Sequence, residues 1–422
     1  MSPRFQILRR REDYFRHFSA LDIGTEVIKV LTVRREGTEG VILGVGRERH
    51  KEGAMSAGAI ANTDAVIDAC NRALESAEDM AGVVPGQTVV GIGGELIKGF
   101  ASAVSYPRER PDVKVREQEL RSLLQLVQKR ALREAQQLLD LERAYGDLEA
   151  QLIHSSVTSV KMDGYPVISP IGFRGRNLEV TVFNTFAPRH QVEQLESLLR
   201  ELDLELLSAV SESYALARAC AGEDQWEQGA IYVDIGGGST EVALLRGGGI
   251  EGTRLFNLGG RAVTRRLAAA MGVSMDEAEA RKLRHSEGLL SPQMEAQVSS
   301  AVAIDVDVLL QGLALCLREM ARGESLPATV YVCGGGSMLP ELMAEMKAGE
   351  WAEGLPFTRQ PYVRQLMPDD VGGLTDITGQ LHSPQDVAPM ALGNHALGGQ
   401  EQGDAVDHVM QGVLSQLKGA RR

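Results

Sequence analysis

Positive charge is scarce in this sequence: 44 Lys and Arg face 57 Asp and Glu, a net −13 over 422 residues. A general nucleic-acid binder needs a cationic face to displace phosphate counterions, so no nucleic-acid partner is expected, although local basic patches stay open. Cysteine is scarce too. Cys70, Cys220, Cys316 and Cys333 are scattered without metal-ligand spacing among apolar or small neighbours, which suits reduced buried thiols and a reducing cytoplasm. An uninterrupted apolar run is also missing. The best stretch, 301–317, carries Asp305, Asp307 and Gln311, and the charged first residues lack a signal-type apolar core, so no membrane span is expected. What remains is an ordinary globular composition, 43% hydrophobic and 24% charged, in a chain long enough for two or more domains.

Against that background one stretch stands out. In residues 231–245, IYVDIGGGSTEVALL, an apolar strand delivers Asp234 into three glycines and two hydroxyls before a second strand begins. Gly236, Gly237 and Gly238 permit close backbone approach, and successive N–H groups there can cradle an anion. Taken alone, the same text is equally a glycine turn between two core strands. The grammar occurs twice. Residues 18–33, FSALDIGTEVIKVLTV, again run strand, Asp22, Ile, Gly24, hydroxyl Thr25, strand. Two such hairpins make sense if they clamp one polyphosphate from opposite sides, with Mg²⁺ between its charge and the two carboxylates. A third glycine turn, 330–339 (VYVCGGGSML), suits the base and ribose end of a nucleotide.

The remaining text orders itself around these turns. Residues 1–18 form a basic leader, either solvated or a short amphipathic arm. Residues 41–46 are a strand, 54–58 a small-residue loop, and 64–80 a helix capped by Asn62 or Thr63. Strand-like stretches at 97–106, 152–160 and 178–185 surround a long amphipathic helix over 117–141, which marks a separate α+β module. Helices are expected at 189–202, 212–221, 259–271, 276–285, 298–322, 340–347 and 387–398. The strip 349–386 is loop-rich. Glu279 and Lys282 lie one turn apart on a charged helix, where a solvated i,i+3 pair is the plain alternative to a ligand contact.

In this order the motifs resemble the actin and heat-shock-chaperone ATPase superfamily, and within it the FtsA cell-division family, from about residue 19 to 398. The two Asp-Ile-Gly hairpins look like the superfamily's phosphate motifs. The text at 44–58, IGFRGR at 171–176 and AEARKLRH at 278–285 look like FtsA. The resemblance implies an α/β, two-lobed actin-like ATPase fold with duplicated RNase H-like domains and an inserted α+β subdomain. The implied division is a leader 1–18, domain 1 over 19–85 and 188–228, the insertion 86–187, domain 2 over 229–400, and a C-terminal amphipathic helix 401–422. It implies ATP and Mg as cofactors. Gly24 and Thr25 would touch the phosphates, with Gly236, Gly237, Gly238, Ser239 and Thr240 wrapping them from the other side, and Asp22 and Asp234 would hold Mg²⁺. Glu212, in VSESYALA, aligns with the acid that positions the attacking water in the chaperone branch, the alternative being a helix-start acid that only caps. Glu279 and Lys282 would contact ribose and base, and Gly334, Gly335, Gly336 and Ser337 would floor the adenine.

Partners follow from the same resemblance: the C-terminal tail of the tubulin-like protein FtsZ, further copies of the chain in a filament, and the cytoplasmic face of the membrane. ATP would act more as a conformational switch than as a fuel, with slow hydrolysis. Residues 404–422, DAVDHVMQGVLSQLKGARR, place Val406, Val409, Met410, Val413, Leu414 and Leu417 on one face, ending in Lys418, Arg421 and Arg422 but with no aromatic anchor. That face either enters lipid or packs back on its own domain. Two other readings stay open: a PilM-like scaffold of type IV pili that binds a short peptide of a membrane partner, and a soluble ATPase of the same superfamily.

Overall fold

The computed structural model describes residues 16–51, 53–56, 59–141, 148–401, 409–410 and 412–414. The leader thus lies outside the described residues up to position 15. Strand β1 (His17–Ile23) pairs antiparallel with β2 (Val27–Glu36), and β2 with β3 (Glu39–Arg49). A short pair, β4 (Met55–Ser56) and β5 (Ala59–Ile60), occupies the expected small-residue loop. Helix α1 (Thr63–Ala81) starts at Asn62, whose Oδ1 accepts from the Ala65 N–H, and ends at Gly82 in the left-handed region. Its apolar face, Val66, Cys70, Ala73 and Leu74, is buried on the sheet. The chain then returns as β6 (Gln87–Ile92), parallel to β1.

The second lobe repeats this plan. Strands β12 (Ala230–Ile235), β13 (Thr240–Arg246) and β14 (Gly249–Phe256) form an antiparallel meander, with β15 (Thr329–Cys333) and β16 (Tyr362–Gln365) added parallel to β12. The first sheet runs β11-β6-β1-β2-β3, where β11 is Glu205–Ser211, and the second runs β16-β15-β12-β13-β14. Both therefore place three antiparallel strands beside two parallel ones, with the Asp-bearing strand third. Two-lobed duplication is the observed architecture.

The inserted module holds β7 (Lys98–Pro107), helix α2 (Glu117–Asp140), β8 (Ala150–Met162), β9 (Tyr165–Pro166) and β10 (Asn177–Pro188). Leu120, Leu124, Val127 and Ala131 keep the expected helical spacing, and all are buried. Three boundaries differ from expectation. Strand β6 belongs to the first sheet, so the module begins beyond it and not at 86. Strand β14 pairs with β7 through Gly252–Phe100 and Thr253–Gly99, which joins module and second lobe in one nine-stranded sheet. Finally, β17 (Leu374–Asp376) pairs with β3, so the segment expected to close the second domain returns to the first lobe.

Helix α3 (Arg189–Glu201) leads into β11, and α4 (Glu212–Cys220) and the short α5 (Glu223–Gln228) connect the lobes. In the second lobe follow α6 (Gly260–Met271), α7 (Met275–Ser286), α8 (Pro292–Ala321) and α9 (Pro340–Ala348), and α10 (Val387–Glu401) closes the set. Helix α8 is the one described helix long and apolar enough to cross a membrane. Here Val298, Val302, Val306, Leu309 and Leu313 pack it into the second-lobe core, and Arg266 holds Asp305 with two 2.8 Å contacts. Helices α4 and α10 lie between the sheets. Their Tyr214, Leu216, Met390 and Leu392 share one core with Leu31 and Val33 of the first lobe and Tyr232 and Leu245 of the second.

Of the two alternatives for the C-terminal segment, its described residues show the one that packs back on the protein. Val409, Met410 and Val413 are buried in the module core with Leu120, Leu124, Val127, Val160 and Val180. Burial of such side chains contributes roughly 1.5–3 kcal/mol each, while ordering costs roughly 1–2 kcal/mol per residue, so the docking is close to balanced. Val406, Leu417, Lys418, Arg421 and Arg422 lie outside the described residues.

Candidate functional site

The two hairpin turns face each other between the lobes. Asp22, near the end of β1, is buried and pairs across the ladder with Lys29 of β2, whose Nζ lies 3.3 Å from its Oδ2. Asp234 takes the equivalent place on β12, opposite Glu241 of β13. Thr25 Oγ1 accepts from the Gly238 N–H at 2.8 Å, and a Cβ on Gly237 would come 2.2 Å from the Glu26 side chain. The turns thus touch directly. Gly24 is held by His50, whose Nε2 is 3.0 Å from the Gly24 carbonyl oxygen.

Behind the second turn, the Gly236 and Gly237 carbonyls accept from the Gly260 and Arg261 N–H groups at the start of α6. Ser239 lines the cleft. Thr240 does not: it is fully buried and its hydroxyl donates to the Leu258 carbonyl at 2.7 Å, which fixes the start of its strand.

The third turn lies against Asp234. Gly334 has φ +83°, and a Cβ there would sit 2.1 Å from Asp234 Oδ1, so glycine lets this turn close on the aspartate. Gly336 packs on Ile235, while Gly335 has only a distant neighbour in Gln385. Ser337 is fully buried, donates to the Gly334 carbonyl at 2.7 Å and accepts from Gln365 Nε2 at 3.1 Å. The hydroxyl is thus committed inside the protein.

Glu279 and Lys282 are not a solvated pair. Lys282 Nζ lies 2.7 Å from Glu279 Oε2, 3.0 Å from Thr264 Oγ1 and 3.2 Å from the Gly260 carbonyl. Glu279 also accepts from Thr264. Burial pushes its carboxyl up, but Lys282 and Thr264 outweigh this and hold it below the usual range. The pair therefore stands beside the Gly236–Gly260 junction.

Glu212 begins α4 and lies against Gly91 of β6, where a Cβ would be 2.7 Å from its Oε1. Glu241, which sequence reasoning placed only as the start of a strand, lies against Gly93, 2.5 Å from the equivalent Cβ position, and accepts from the Ser213 N–H at 3.3 Å. Thus an acid of the second lobe caps the helix that Glu212 begins. The signal that could have found this is the GIGG run at 91–94, a strand end with no side chains on one face.

Electrostatically these groups form one set. Burial raises Glu212 well above the usual carboxylate range, with Asp22, Glu241 and Asp234 adding repulsion. Burial likewise pushes Glu241 up to about 8, and Asp234 up to about 6 despite Lys29. Burial alone would lower the Lys29 ammonium, but Asp22 and Asp234 keep it above its ordinary value. Oxygen donors crowded around one lysine suit a hard divalent cation. Among the described residues no group of three His, Cys, Asp or Glu side chains is placed to hold a metal ion.

From the turns a cleft of about 710 Å³ runs outward between the first lobe and the module. Gly24, Thr25, Ser239, Glu212, Glu241 and Leu414 are among the residues that line it.

Comparison with known proteins finds similarity to one family in sequence and to actin-like proteins in fold. A family profile described as "Cell division protein FtsA" matches residues 231–347. The chain is 25% identical to the cell division protein FtsA of Pseudomonas aeruginosa, over 85% of this chain and 84% of that one. It is also 25% identical to FtsA of Neisseria meningitidis serogroup B, over 86% and 87% of the two chains. Among solved structures, a chain of the PilM-PilN type IV pilus biogenesis complex has TM-score 0.63 at 18% identity, with 90% of this chain and 98% of that chain covered. The ethanolamine utilization protein EutJ of Carboxydothermus hydrogenoformans has TM-score 0.50 at 16% identity, covering 90% and 89%. Duplicated sheets and paired aspartate hairpins give the chain a two-lobed actin-like fold, and over most of its length its sequence is similar to FtsA cell-division proteins.

Proposed function

We propose that the chain binds Mg·ATP between its lobes and, as an adaptor of cell division, self-associates at the cytoplasmic face of the membrane and holds the C-terminal tail of FtsZ. The observation that carries the nucleotide half is the direct approach of the two Asp-bearing turns from opposite lobes. Asp22 and Asp234 would hold Mg²⁺ through its waters, and Gly24, Thr25 and the Gly236 to Ser239 backbone would surround the phosphates. Bound there, the ion supplies positive charge against the phosphate oxygens.

The protein's own part is positioning. Glu212, buried at the start of α4, would orient an attacking water, its charged form favoured only once a cation in the site offsets the burial and neighbouring carboxylates that raise it. Glu241 fixes the start of α4 and so the direction of Glu212. Glu279 and Lys282 would meet the ribose side, and the Gly334 turn the base. With the turns touching, nucleotide entry must move one lobe against the other, which is how a bound state would reach a filament contact.

The test is a titration of the purified protein, with Mg·ATP, against a peptide of the FtsZ C-terminal tail from the same source. Saturable micromolar binding is expected. Tight ATP binding with no peptide uptake would favour a scaffold of the PilM kind, a second reading supported by the high coverage of the PilM-type structure and by the docked C-terminal segment.

A further inference from the structure

Glu26 follows Thr25 directly, and its side chain lies on the turn of the other lobe. A Cβ on Gly237 would come 2.2 Å from its Cγ, so only glycine there admits it. The carboxylate stands between two guanidinium groups: Arg261 Nε is 3.2 Å from Oε1, and Arg49 Nη2 is 3.7 Å from Oε2. Arg261 belongs to α6 of the second lobe and Arg49 to β3 of the first, so one acid meets both lobes where their turns touch. The Arg261 N–H donates to the Gly237 carbonyl at 2.7 Å, which roots this arginine in the turn itself.

These contacts are close but uncommitted. A settled guanidinium–carboxylate pair brings nitrogen and oxygen to about 2.7–2.9 Å, often through two bonds at once. Here both distances are longer, and Glu26 Oε1 is buried without a hydrogen bond. Two cations thus converge on an anion that neither fully engages. The inner cleft meanwhile holds Asp22, Asp234, Glu212 and Glu241 against Lys29, so a polyphosphate entering it needs further positive charge.

We propose that Arg261 and Arg49 form an anion subsite for a phosphate group of the nucleotide, and that Glu26 is a built-in competitor for it. The subsite rests on the nucleotide reading above and adds cations that reading does not name. Guanidinium groups pair with phosphate in the same forked geometry as with carboxylate, so the exchange needs no new partner on the protein. It does need Glu26 to leave the Gly237 backbone. A ligand must therefore carry enough charge to displace a carboxylate, and its apparent affinity is lowered by the share of molecules in which Glu26 holds the arginines. Exchange also replaces a contact between the lobes with contacts from each lobe to the ligand.

Calorimetric titration of Mg·ATP into the full chain and three variants tests this. Glu26→Gln keeps the side-chain length and removes the charge, and should tighten binding about three- to ten-fold. Arg49→Gln/Arg261→Gln should weaken it about ten-fold or more, the loss expected of charge-assisted bonds to phosphate. Adding Glu26→Gln to the arginine pair should then change affinity by less than about two-fold, because nothing is left to compete for. Weaker or unchanged binding by Glu26→Gln overturns the competition. So does an equal gain in both backgrounds, which is plain repulsion of phosphate by the acid. Unchanged binding by the arginine pair overturns the subsite and leaves the nucleotide reading standing. Absence of Mg·ATP binding from both the unaltered chain and Glu26→Gln overturns that reading and the subsite with it. All three side chains are partly exposed, so the variants should melt close to the unaltered chain, and circular dichroism separates lost binding from lost folding. A single Arg261→Gln change replaces the pair if its binding falls below what calorimetry can read.

Discussion

The Thr25 hydroxyl accepts the Gly238 N–H at 2.8 Å, so a side chain of the first lobe sits on the backbone that would surround a phosphate from the second. This bond joins residues far apart in the chain and closes the lobes on each other. A phosphate oxygen placed there would compete for the same N–H, which makes the contact both a latch on the cleft and a stand-in for ligand.

Thr25→Val removes that acceptor and should cost about 1 kcal/mol of stability in denaturant titration. Gly238→Ala puts a methyl group 2.9 Å from Thr25 Oγ1 and should force the turns apart, weakening Mg·ATP binding at least ten-fold in a fluorescent-nucleotide titration. Unchanged affinity in the alanine variant would place the phosphates elsewhere.

Asp234→Asn should move two readouts in opposite directions. Calorimetry should show Mg·ATP binding lost or weakened more than a hundred-fold. The ligand-free variant should nevertheless be more stable at pH 8, by about 1–3 kcal/mol, because the burial that lifts the Asp234 carboxyl to about 6 opposes its charge. A variant that loses both stability and binding would make Asp234 merely structural.

The pH dependence of the ligand-free chain has a definite sign between pH 6.5 and 8. Glu241, at about 8 in the fold, faces Glu212, Asp22 and Asp234 with Lys29 the nearby cation, and keeps its proton where an unfolded glutamate has lost it. The folded state therefore binds more protons, and stability falls as pH rises through this window. His285, lifted by Glu341 and Glu295, adds the same sign. Below 6.5 the sign reverses for His154 and His395, which burial keeps neutral, His395 down to about 4. Thermal stability should thus fall from pH 6.5 to 8, and Glu241→Gln should flatten that fall. A melting temperature that climbs from pH 6.5 to 8 would contradict this assignment.

Ser337→Ala separates shape from contact. The hydroxyl bonds only inside the turn and to Gln365, so the variant should lose about 1–2 kcal/mol of stability while its Mg·ATP affinity stays within about two-fold. A large affinity loss at unchanged stability would restore the adenine contact expected from the sequence.

Most of what could be read in advance was local. Asp22 and Asp234 were legible because a hairpin is made of near neighbours, and its glycines and hydroxyls lie where the turn needs them. The long helices were legible for the same reason: Leu120, Leu124 and Val127 repeat at the period that one buried face demands. Asn62 could be offered as a cap because the bond it makes spans three residues. The hydroxyl partners of Thr240 and Ser337 were not legible, because Leu258 and Gln365 lie 18 and 28 residues away and leave no mark on the turn itself.

What only the tertiary structure decided was the pairing of distant pieces. Strand β14, with no distinctive alternation, joins module to second lobe. Strand β17 crosses back to β3, and Glu241 meets the helix that Glu212 begins. The C-terminal segment shows the division of labour most plainly. Its spacing determined that one face would be covered, since the hydrophobic effect has no direction and only requires removal from water. Whether protein or lipid would cover it depended on a groove built from residues almost three hundred positions earlier, and no local pattern records a partner at that distance.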